Sequence, residues 1–283
     1  MSLQGYEDHK YFLVSTPSPY VAHVQTNRPE KLNAFAEAMW LELGTIFRKL
    51  SHDPEVRAVV FSAVGDRAFT AGLDVQAASQ EGGVLSKEGV ADGARFATRV
   101  RRHIHEFQDS VSAIERCEKP VIVVMHGISI GLAIDLSCCA DIRICSRDAR
   151  FSVKEVDIGL AADIGTLSRL PKVVGNHSWV KEVCLTARFF DAAEALSVGF
   201  VSRVLENKEK AVEAATQMAV LLASKSPVAV QGTKEILNHA RDNSVADSLR
   251  YTAVWNSAML QSDDVAAAML SGMKKTKPRF EKL

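Results

Sequence analysis

The stretch 121–135 decides the fold of this chain and reads Val-Ile-Val-Val-Met-His-Gly-Ile-Ser-Ile-Gly-Leu-Ala-Ile-Asp. Its beginning, 121–126, is mostly apolar and β-branched, which is typical of a strand buried on both faces. Small residues follow, and a helix is predicted to open at Gly131 and to continue through Asp135. A buried strand that leads into a helix indicates an α/β core.

Strand and helix patterns alternate on both sides of this stretch. Further buried strands are predicted at 21–26, 58–63, 142–146 and 151–153, and apolar residues at helical spacing predict helices within 35–50 and 96–114. From about residue 191 the chain reads mostly as helix, over 208–222, 227–240 and 245–260. Residues 76–93 are rich in Ala, Ser, Gly and Gln and are predicted to form a mobile surface loop.

Composition and charge exclude several classes of function. Lys+Arg and Asp+Glu balance at 34 each, so no global field attracts nucleic acid or an anionic membrane. No apolar run approaches the roughly 20 residues of a membrane helix, and we expect no membrane insertion. The five cysteines lack paired CxxC spacing, which favours buried reduced thiols over zinc or disulfides. The acidic N-terminus has no apolar core, so we expect no signal peptide there.

Three carboxylates stand in otherwise apolar sequence, at Asp135, Glu155 and Asp163. Apolar surroundings penalise an ionised carboxylate, so each acid must find a partner, shift its pKa or occupy a site that uses it. Three such groups in one stretch suggest proton transfer.

Each of the three acids also has a purely structural interpretation. Asp135 could complement the dipole of its own helix. Glu155 could pair with Lys154 or Arg169, and Asp163 could cap the helix that follows it.

The segment Gly127-Ile128-Ser129-Ile130-Gly131 matches the G-x-S-x-G nucleophile elbow of serine hydrolases and follows a predicted strand. His177 and His239 could nominally complete such a site. The sequence has no HGGG-type segment for the oxyanion hole and no suitably placed C-terminal His. A serine hydrolase that uses Ser129 is therefore a remote alternative.

Backbone N–H groups offer another interpretation of this turn. Gly131-Leu132-Ala133 opens a helix, where N–H groups are unpaired and can meet developing negative charge. Small residues also end the strand region at 69–74, and the N–H groups of Leu73 and Leu132 could together form an oxyanion hole. The alternative is a pair of ordinary strand-to-helix turns.

A series of motifs runs in order along the chain: Asn27-Arg28-Pro29 with Asn33-Ala34, Phe69-x-Ala71-Gly72-x-Asp74, His126-Gly127 with Gly131 and Asp135, and Cys139-Ala140-Asp141-Ile142-Arg143. This series resembles the crotonase (enoyl-CoA hydratase/isomerase) superfamily over most of the chain. The segment 153–167, Val-Lys-Glu-Val-Asp-Ile-Gly-Leu-Ala-Ala-Asp-Ile-Gly-Thr-Leu, is similar specifically to the dienoyl-CoA isomerases within it.

The resemblance implies an α/β fold, a crotonase-like spiral of ββα units with a C-terminal helical trimerisation region. Residues 1–200 would form the core with the CoA-ester site, and 201–283 the oligomerisation region of a homotrimer or a dimer of trimers. The implied reaction converts 3-trans,5-cis-dienoyl-CoA to 2-trans,4-trans-dienoyl-CoA in fatty-acid β-oxidation. Removal of a proton at C2 and delivery at the remote C6 call for two acids, which we predict to be Glu155 and Asp163, tuned by Asp135.

The resemblance assigns the oxyanion hole to the N–H groups of Leu73 and Leu132. The family commonly has three glycines where this chain has Gly131-Leu132-Ala133, so the Leu and Ala side chains are expected to narrow the approach. The thioester is expected at Ala71, Gly72, Leu73, Asp74, Val75 and Leu132, and the CoA nucleotide at Arg28, Lys31, Ala34 and Lys275. No metal or redox cofactor is expected. CoA itself is part of the substrate.

Enoyl-CoA hydratase is the nearest alternative within the superfamily. Hydratases use two glutamates, whereas this chain has Asp135 at the first position and Glu155 at the second. Asp163 stands where hydratases usually have Gly. A crotonase-fold binding module is a second alternative, although a binder does not need buried acids. Glu281-Lys282-Leu283 resembles the peroxisomal Ser-Lys-Leu signal, which predicts a peroxisomal protein with the mitochondrion as alternative.

Overall fold

A computed structural model of the chain describes residues 3–74 and 89–283. The strands are β1 Phe12–Ser18, β2 Val21–Thr26, β3 Ala58–Ala63, β4 Ala68–Thr70, β5 Val121–Met125, β6 Ile128–Ile130, β7 Ile142–Ser146, β8 Arg150–Ser152, β9 Phe190–Asp191 and β10 Arg203–Leu205. The α-helices are α1 Glu37–His52, α2 Gly93–Arg116, α3 Leu132–Cys139, α4 Thr166–Val173, α5 His177–Thr186, α6 Ala192–Ser197, α7 Lys208–Ala223, α8 Pro227–Asp242, α9 Val245–Met259 and α10 Asp263–Lys274. Short 3-10 helices span Pro29–Lys31 and Glu155–Ile158.

Two sheets organise the body. The larger sheet has the strand order β1-β2-β3-β5-β7-β10 and is parallel except for the β1–β2 hairpin. The smaller sheet has the order β4-β6-β8-β9, with β4, β6 and β8 parallel. Each strand of β4, β6 and β8 follows soon after a strand of the larger sheet, which gives the repeated pair of strands that the sequence resemblance implies.

The larger sheet is covered on both faces, so its central strands β3 and β5 are fully buried and almost entirely apolar. On one face α1 and α2 supply an aromatic layer, in which Trp40 stacks on Phe107 with ring centroids 4.6 Å apart. On the other face α7 packs through alanines spaced four residues apart (Ala211, Ala215, Ala219 and Ala223), whose small side chains let the helix lie close to the strands.

The α/β class and the main elements predicted from the sequence are confirmed. The strands at 21–26, 58–63 and 142–146 have the predicted limits, and α7, α8 and α9 match the predicted helices to within two residues at each end. The division at residue 200 remains a prediction, and β10 and α7, which follow it, pack on the larger sheet. The predicted loop at 76–93 falls largely on residues 75–88, outside the described part of the chain.

The helices after α7 leave large apolar side chains exposed. The most exposed of them on α8, α9 and α10 are Leu237, Val245, Leu249, Val254, Met269 and Met273. In residues 3–74 and 89–283, no helix is long and apolar enough to cross a membrane.

Candidate active site

The ends of β4 and β6 bring together the two proposed oxyanion donors. These parallel strands pair Thr70 with Ser129, and Leu73 and Leu132 each lie three residues beyond that pair. A β-carbon built on Gly72 would lie 3.7 Å from the Leu132 nitrogen, so the two turns are in contact. The register of two short strands therefore sets the spacing of the donors.

Local hydrogen bonding leaves both N–H groups available. Phe35 donates its N–H to the Gly72 carbonyl at 2.8 Å and accepts from Asp74 at 2.9 Å, so the Leu73 N–H between them points away from Phe35. Leu132 is the first residue of α3, where an N–H has no acceptor within its own helix. Within the described residues neither N–H has a hydrogen-bond acceptor.

The side chains at the start of α3 are buried. Leu132 and Ala133 belong to the apolar core, and their expected narrowing of the approach to the site stays a prediction. Gly131 has a φ of 55°, in the left-handed region that favours glycine, and this is the position in the turn where the family's glycine is retained. The chain reverses at Gly131, and the side chains that follow it turn inward.

Asp135 lies in the first turn of α3 and is only 2% exposed. Its Oδ1 accepts the N–H of Thr166, the first residue of α4, at 2.6 Å. Burial and, after it, the charge of Glu155 raise the pKa of Asp135 from 3.8 to about 7, although the bond from Thr166 and the cation of Arg169 oppose this shift. Asp135 therefore titrates near neutral pH.

Glu155 begins the 3-10 helix that follows β8. Its Oε1 lies 3.6 Å from the position of a β-carbon built on Gly131, so the carboxyl group faces the start of α3 beside Leu132. Its Oε2 is buried with no hydrogen-bond partner within the described residues. Burial raises the pKa of Glu155, and the charge of Asp163 raises it further.

Asp163 lies just before α4. Its backbone carbonyl accepts a hydrogen bond from Nε2 of Gln108 on α2 at 2.6 Å. The residue as a whole is exposed, yet the protein packed around its carboxyl group raises its pKa, opposed by the nearby His103. The effect of Asp163 on Glu155 puts the two carboxyl groups within electrostatic range of each other.

The structural alternatives for Glu155 and Asp163 are wrong, whereas Asp135 does lie in the first turn of its own helix. Lys154 pairs with Asp157 at 2.7 Å, and Arg169 pairs with Glu115 at 2.8 Å. The α4 helix takes its capping carboxylate from Asp135, not from Asp163. In the described part of the chain, Glu155 and Asp163 take part in no ion pair.

A polar cavity of about 460 Å³ lies beside Asp163. Ion pairs line it: Arg169 with Glu115, Arg241 with Glu115 and Asp242, and Lys172 with Asp242. The Arg169 guanidinium passes so close to Gly165 that a β-carbon there would lie 2.2 Å from its Nη1. The cavity is therefore rimmed by charges on α2, α4 and α8.

Ser129 is not placed to act as a nucleophile. It is fully buried within β6, and its hydroxyl donates to the His126 carbonyl at 3.3 Å. His239 stacks on Tyr251 in the C-terminal helices, away from β6. The serine-hydrolase alternative is therefore wrong.

The residues predicted for the CoA nucleotide are only partly brought together. Arg28 pairs with Asp74 at 2.8 Å and donates to the Ala34 carbonyl at 2.8 Å, which ties the predicted nucleotide region to the predicted thioester region. Lys275 follows α10 at the far end of the chain. Val75 lies outside the described residues. All of these assignments remain predictions.

Sequence reasoning missed Thr166, Gln108 and His103 as neighbours of the acids. The last two lie on α2, about 55 residues before Asp163 in the chain. The sequence showed the apolar residues of α2 at helical spacing, but which of its polar residues face the site depends on how α2 packs against α1.

The five cysteines are buried and free, as predicted. Across residues 3–74 and 89–283 no cluster of three or more His, Cys, Asp or Glu could hold a metal ion.

A family model described as enoyl-CoA hydratase/isomerase matches residues 18–282. The solved enoyl-CoA hydratase of Bacillus anthracis superposes with a TM-score of 0.85 over 96% of this chain and 99% of that one, and its 24% identity limits the likeness to the fold. The chain therefore belongs to the enoyl-CoA hydratase/isomerase family, and the crotonase-like fold predicted from the motifs is confirmed.

Similarity to individual relatives is more specific. The chain is 47% identical to the mitochondrial Delta(3,5)-Delta(2,4)-dienoyl-CoA isomerase of Mus musculus, over 95% of this chain and 81% of the relative. It is 40% identical to the peroxisomal Delta(3,5)-Delta(2,4)-dienoyl-CoA isomerase of Arabidopsis thaliana, over the full length of both. A short-chain-enoyl-CoA hydratase of Clostridium acetobutylicum is 28% identical.

Proposed function

We propose that this protein isomerises 3,5-dienoyl-CoA thioesters to 2,4-dienoyl-CoA thioesters in the β-oxidation of unsaturated fatty acids. The observation that carries the proposal is that, within the described residues, Glu155 and Asp163 form no ion pair and the N–H groups of Leu73 and Leu132 have no acceptor. The relatives named Delta(3,5)-Delta(2,4)-dienoyl-CoA isomerase support the same reaction.

The N–H groups of Leu73 and Leu132 bind the thioester oxygen. Removal of a C2 proton places negative charge on that oxygen, and two fixed donors stabilise the resulting dienolate. A single donor of this type contributes roughly 3–4 kcal/mol to the transition state. Because these donors belong to the backbone at a helix start and a strand end, they need no reorganisation during the reaction.

Glu155 is the base at C2. Its Oε1 faces the start of α3 next to Leu132, and C2 is the carbon bonded to the carbonyl that Leu132 holds. A carboxylate with a raised pKa is also a stronger base than an ordinary one. The C2–H bond breaks, the proton passes to Glu155, and the electron pair moves into the dienolate.

Asp163 is the acid at C6. It lies on a different segment from the oxyanion donors, and its raised pKa favours the protonated form that donation requires. As the C6–H bond forms, the double bonds shift to C2 and C4. The electron count is unchanged, so the step needs no oxidant or reductant.

Asp135 influences the ionisation of Glu155 through its own charge. The charge of Glu155 contributes to raising the pKa of Asp135 to about 7, so the two acids resist ionising together. When Glu155 gains the C2 proton, Asp135 becomes easier to ionise, and its bond with Thr166 strengthens. Asp135 thereby favours uptake of the proton by Glu155.

The test is an assay of the purified protein with 3-trans,5-cis-dienoyl-CoA, followed by ultraviolet absorbance of the conjugated 2,4-dienoyl thioester. We expect absorbance to grow with enzyme concentration. Crotonyl-CoA serves as the matched substrate for hydration. Brisk hydration of crotonyl-CoA with no change of the 3,5-diene would assign the protein as a hydratase instead.

We further propose that the chain assembles as a homotrimer or a dimer of trimers. The exposed apolar side chains of α8, α9 and α10 support self-association, because isolated monomers rarely expose so many large apolar groups on neighbouring helices. Sedimentation equilibrium should give three or six times the 30.9 kDa mass of the chain. A single species at the chain mass would contradict this proposal.

We also propose a peroxisomal location, supported by Glu281-Lys282-Leu283, whereas relatives are labelled both mitochondrial and peroxisomal. In the structure Lys282 pairs with Glu55, and Arg57 donates to the Phe280 carbonyl at 2.8 Å. The last residues must therefore leave this surface before a receptor can read them. A fluorescent fusion at the N-terminus should enter peroxisomes and lose that location when Leu283 is deleted.

A further inference from the structure

We propose that the polar cavity beside Asp163 is the route by which this acid takes a proton from solvent between turnovers. The inference rests on the proposed isomerisation. It predicts that the hydrogen placed on C6 originates in water and not at C2 of the same molecule.

Proton balance requires both acids to be reset after each turnover. Each turnover breaks one C2–H bond and forms one C6–H bond, so it leaves Glu155 protonated and Asp163 ionised. The protonation states of the two acids are then the reverse of those at the start of the turnover. Before the next turnover Asp163 must regain a proton and Glu155 must lose one, either by transfer between them or through solvent.

The geometry favours solvent for Asp163. Of the site residues that the structure describes, Asp163 lines the cavity, whereas Asp135, Glu155, Leu73 and Leu132 do not. Asp163 therefore borders the cavity on one side, while the other described site residues stand apart from it. A bound acyl chain that lies between the two acids leaves this side open.

The cavity is suited to water and not to an alkyl chain. Its rim carries the ion pairs of Arg169, Arg241 and Lys172, and an alkyl chain there would strip solvent from these charges. At about 460 Å³ the space holds several water molecules. Lys172 and Asp242 are both more than 40% exposed, so the rim opens to bulk solvent.

Gln108 fixes Asp163 at the mouth of this cavity. Its Nε2 donates to the Asp163 carbonyl, and the residue itself lines the cavity. The backbone that carries the carboxyl group is therefore fixed beside the cavity.

Isotope transfer in the wild-type enzyme tests the route directly. A substrate with deuterium at both C2 positions is converted in ordinary water over many turnovers of each enzyme molecule, and the product is examined by mass spectrometry and NMR. We expect one deuterium at C2 and protium at C6. Deuterium from C2 appearing at C6 in most product molecules would overturn the inference, because it would show direct transfer between the acids.

A variant that fills the cavity gives a second, independent measurement. Ser168 lines the cavity and is exposed, so Ser168→Leu should obstruct it. We expect steady-state kcat to fall several-fold while the single-turnover rate stays the same, because only resetting of Asp163 is slowed. An unchanged kcat, or equal falls in both rates, would contradict the proposal.

The control is Ser197→Leu, on exposed α6, where the serine hydroxyl donates to the Glu194 carbonyl and does not line the cavity. It should change neither rate. Failure of the proposed function would look different from failure of this inference. In the former, the wild-type enzyme forms no conjugated dienoyl thioester, and in the latter it forms one with the C2 label at C6.

Discussion

Asp135 and Thr166 lie 31 residues apart in the chain, yet Oδ1 of the first accepts the N–H of the second at 2.6 Å. One buried carboxylate thus joins the first turn of α3 to the first turn of α4. The segment with Asp163 ends at that bond, and the oxyanion donor Leu132 begins the other helix. The same side chain therefore fixes the relative position of acid and oxyanion hole.

Replacing Asp135 with Asn should stabilise the protein at alkaline pH. The folded protein holds the pKa of Asp135 near 7, above its ordinary 3.8, so ionisation opposes folding as pH rises through this window. The free energy of unfolding of Asp135→Asn should exceed that of the wild type at pH 8 by up to about 4 kcal/mol, and the difference should vanish near pH 4. Denaturant titrations at both pH values measure it.

The control for this prediction is Asp242→Asn. Hydrogen bonds from Arg241 and Lys172 lower the pKa of Asp242 to about 2, so its ionisation favours folding, and its neutralisation should destabilise the protein at pH 8. The same chemical change therefore has opposite effects at the two sites. An Asp135→Asn protein no more stable than the wild type at pH 8 would show that Asp135 is ionised without penalty.

The two proposed catalytic acids should be separable by isotope exchange. Glu155→Gln and Asp163→Asn should each lower kcat for isomerisation by about 10²–10⁴-fold, the usual contribution of one general acid or base. KM should change little, because neither carboxyl group holds the CoA ester. In D₂O, Asp163→Asn should still exchange the C2 hydrogens of the substrate, whereas Glu155→Gln should not.

Asp157→Asn is the matched control for the acids, since Asp157 is an exposed partner of Lys154 two residues from Glu155. It should retain activity within about twofold, as expected for a surface ion pair. If Asp163→Asn isomerises at the wild-type rate, the two-acid scheme is wrong. If both acid variants lose C2 exchange, the assignment of Glu155 alone to C2 is wrong.

The spacing of the oxyanion donors should be sensitive to Gly72. Its φ of 89° lies in the left-handed region, and a β-carbon there would lie 3.2 Å from the Ile130 carbonyl oxygen. Gly72→Ala should move Leu73 relative to Leu132 and lower kcat by about 10²-fold, an effect comparable to loss of one oxyanion donor. The assay is the growth of 2,4-dienoyl absorbance at saturating substrate.

Gly199→Ala separates backbone strain from this steric effect. Gly199 has a φ of 81°, but a β-carbon there would meet nothing within 4 Å. Both variants should lose stability of about 1 kcal/mol or more from the unfavourable φ. Only Gly72→Ala should lose activity, and equal loss of activity in the two would remove the argument about donor spacing.

Much of the fold was predictable because the larger sheet is covered on both faces. Its buried strands are mostly apolar and β-branched, and 21–26, 58–63 and 142–146 were predicted with the limits that the structure has. The smaller sheet was not predicted apart from β8. Its strands are only two or three residues long, and such segments are too short to show a periodic pattern.

The site was predictable in its residues but not in its contacts. Acids stand out in apolar sequence, so Asp135, Glu155 and Asp163 could be named in advance. Their partners could not, because Thr166 meets Asp135 through its backbone, which every residue type carries. The sequence offered Arg169 as a partner of Glu155. In the structure Arg169 pairs with Glu115 instead, because α4 places it beside that residue of α2.

That pairing leads to a last prediction, for the stability of the segment that holds Asp163. Arg169 and Glu115 are about 15% exposed and meet at 2.8 Å, so loss of the arginine leaves Glu115 largely buried with one remaining cation, Arg241. Arg169→Met should lower the free energy of unfolding by about 2–3 kcal/mol, somewhat less than for a fully orphaned buried charge.

Arg188→Met is the matched control. Arg188 also pairs with two glutamates, Glu182 and Glu194, but it is 33% exposed, and its loss should cost less than about 1 kcal/mol. In the double variant Glu115→Gln with Arg169→Met, the loss should be smaller than the sum of the single losses, because the stranded charge is gone. Additive losses would mean that Arg169 acts through packing alone. In that case its ion pair does not hold α4 and the neighbouring Asp163 in place.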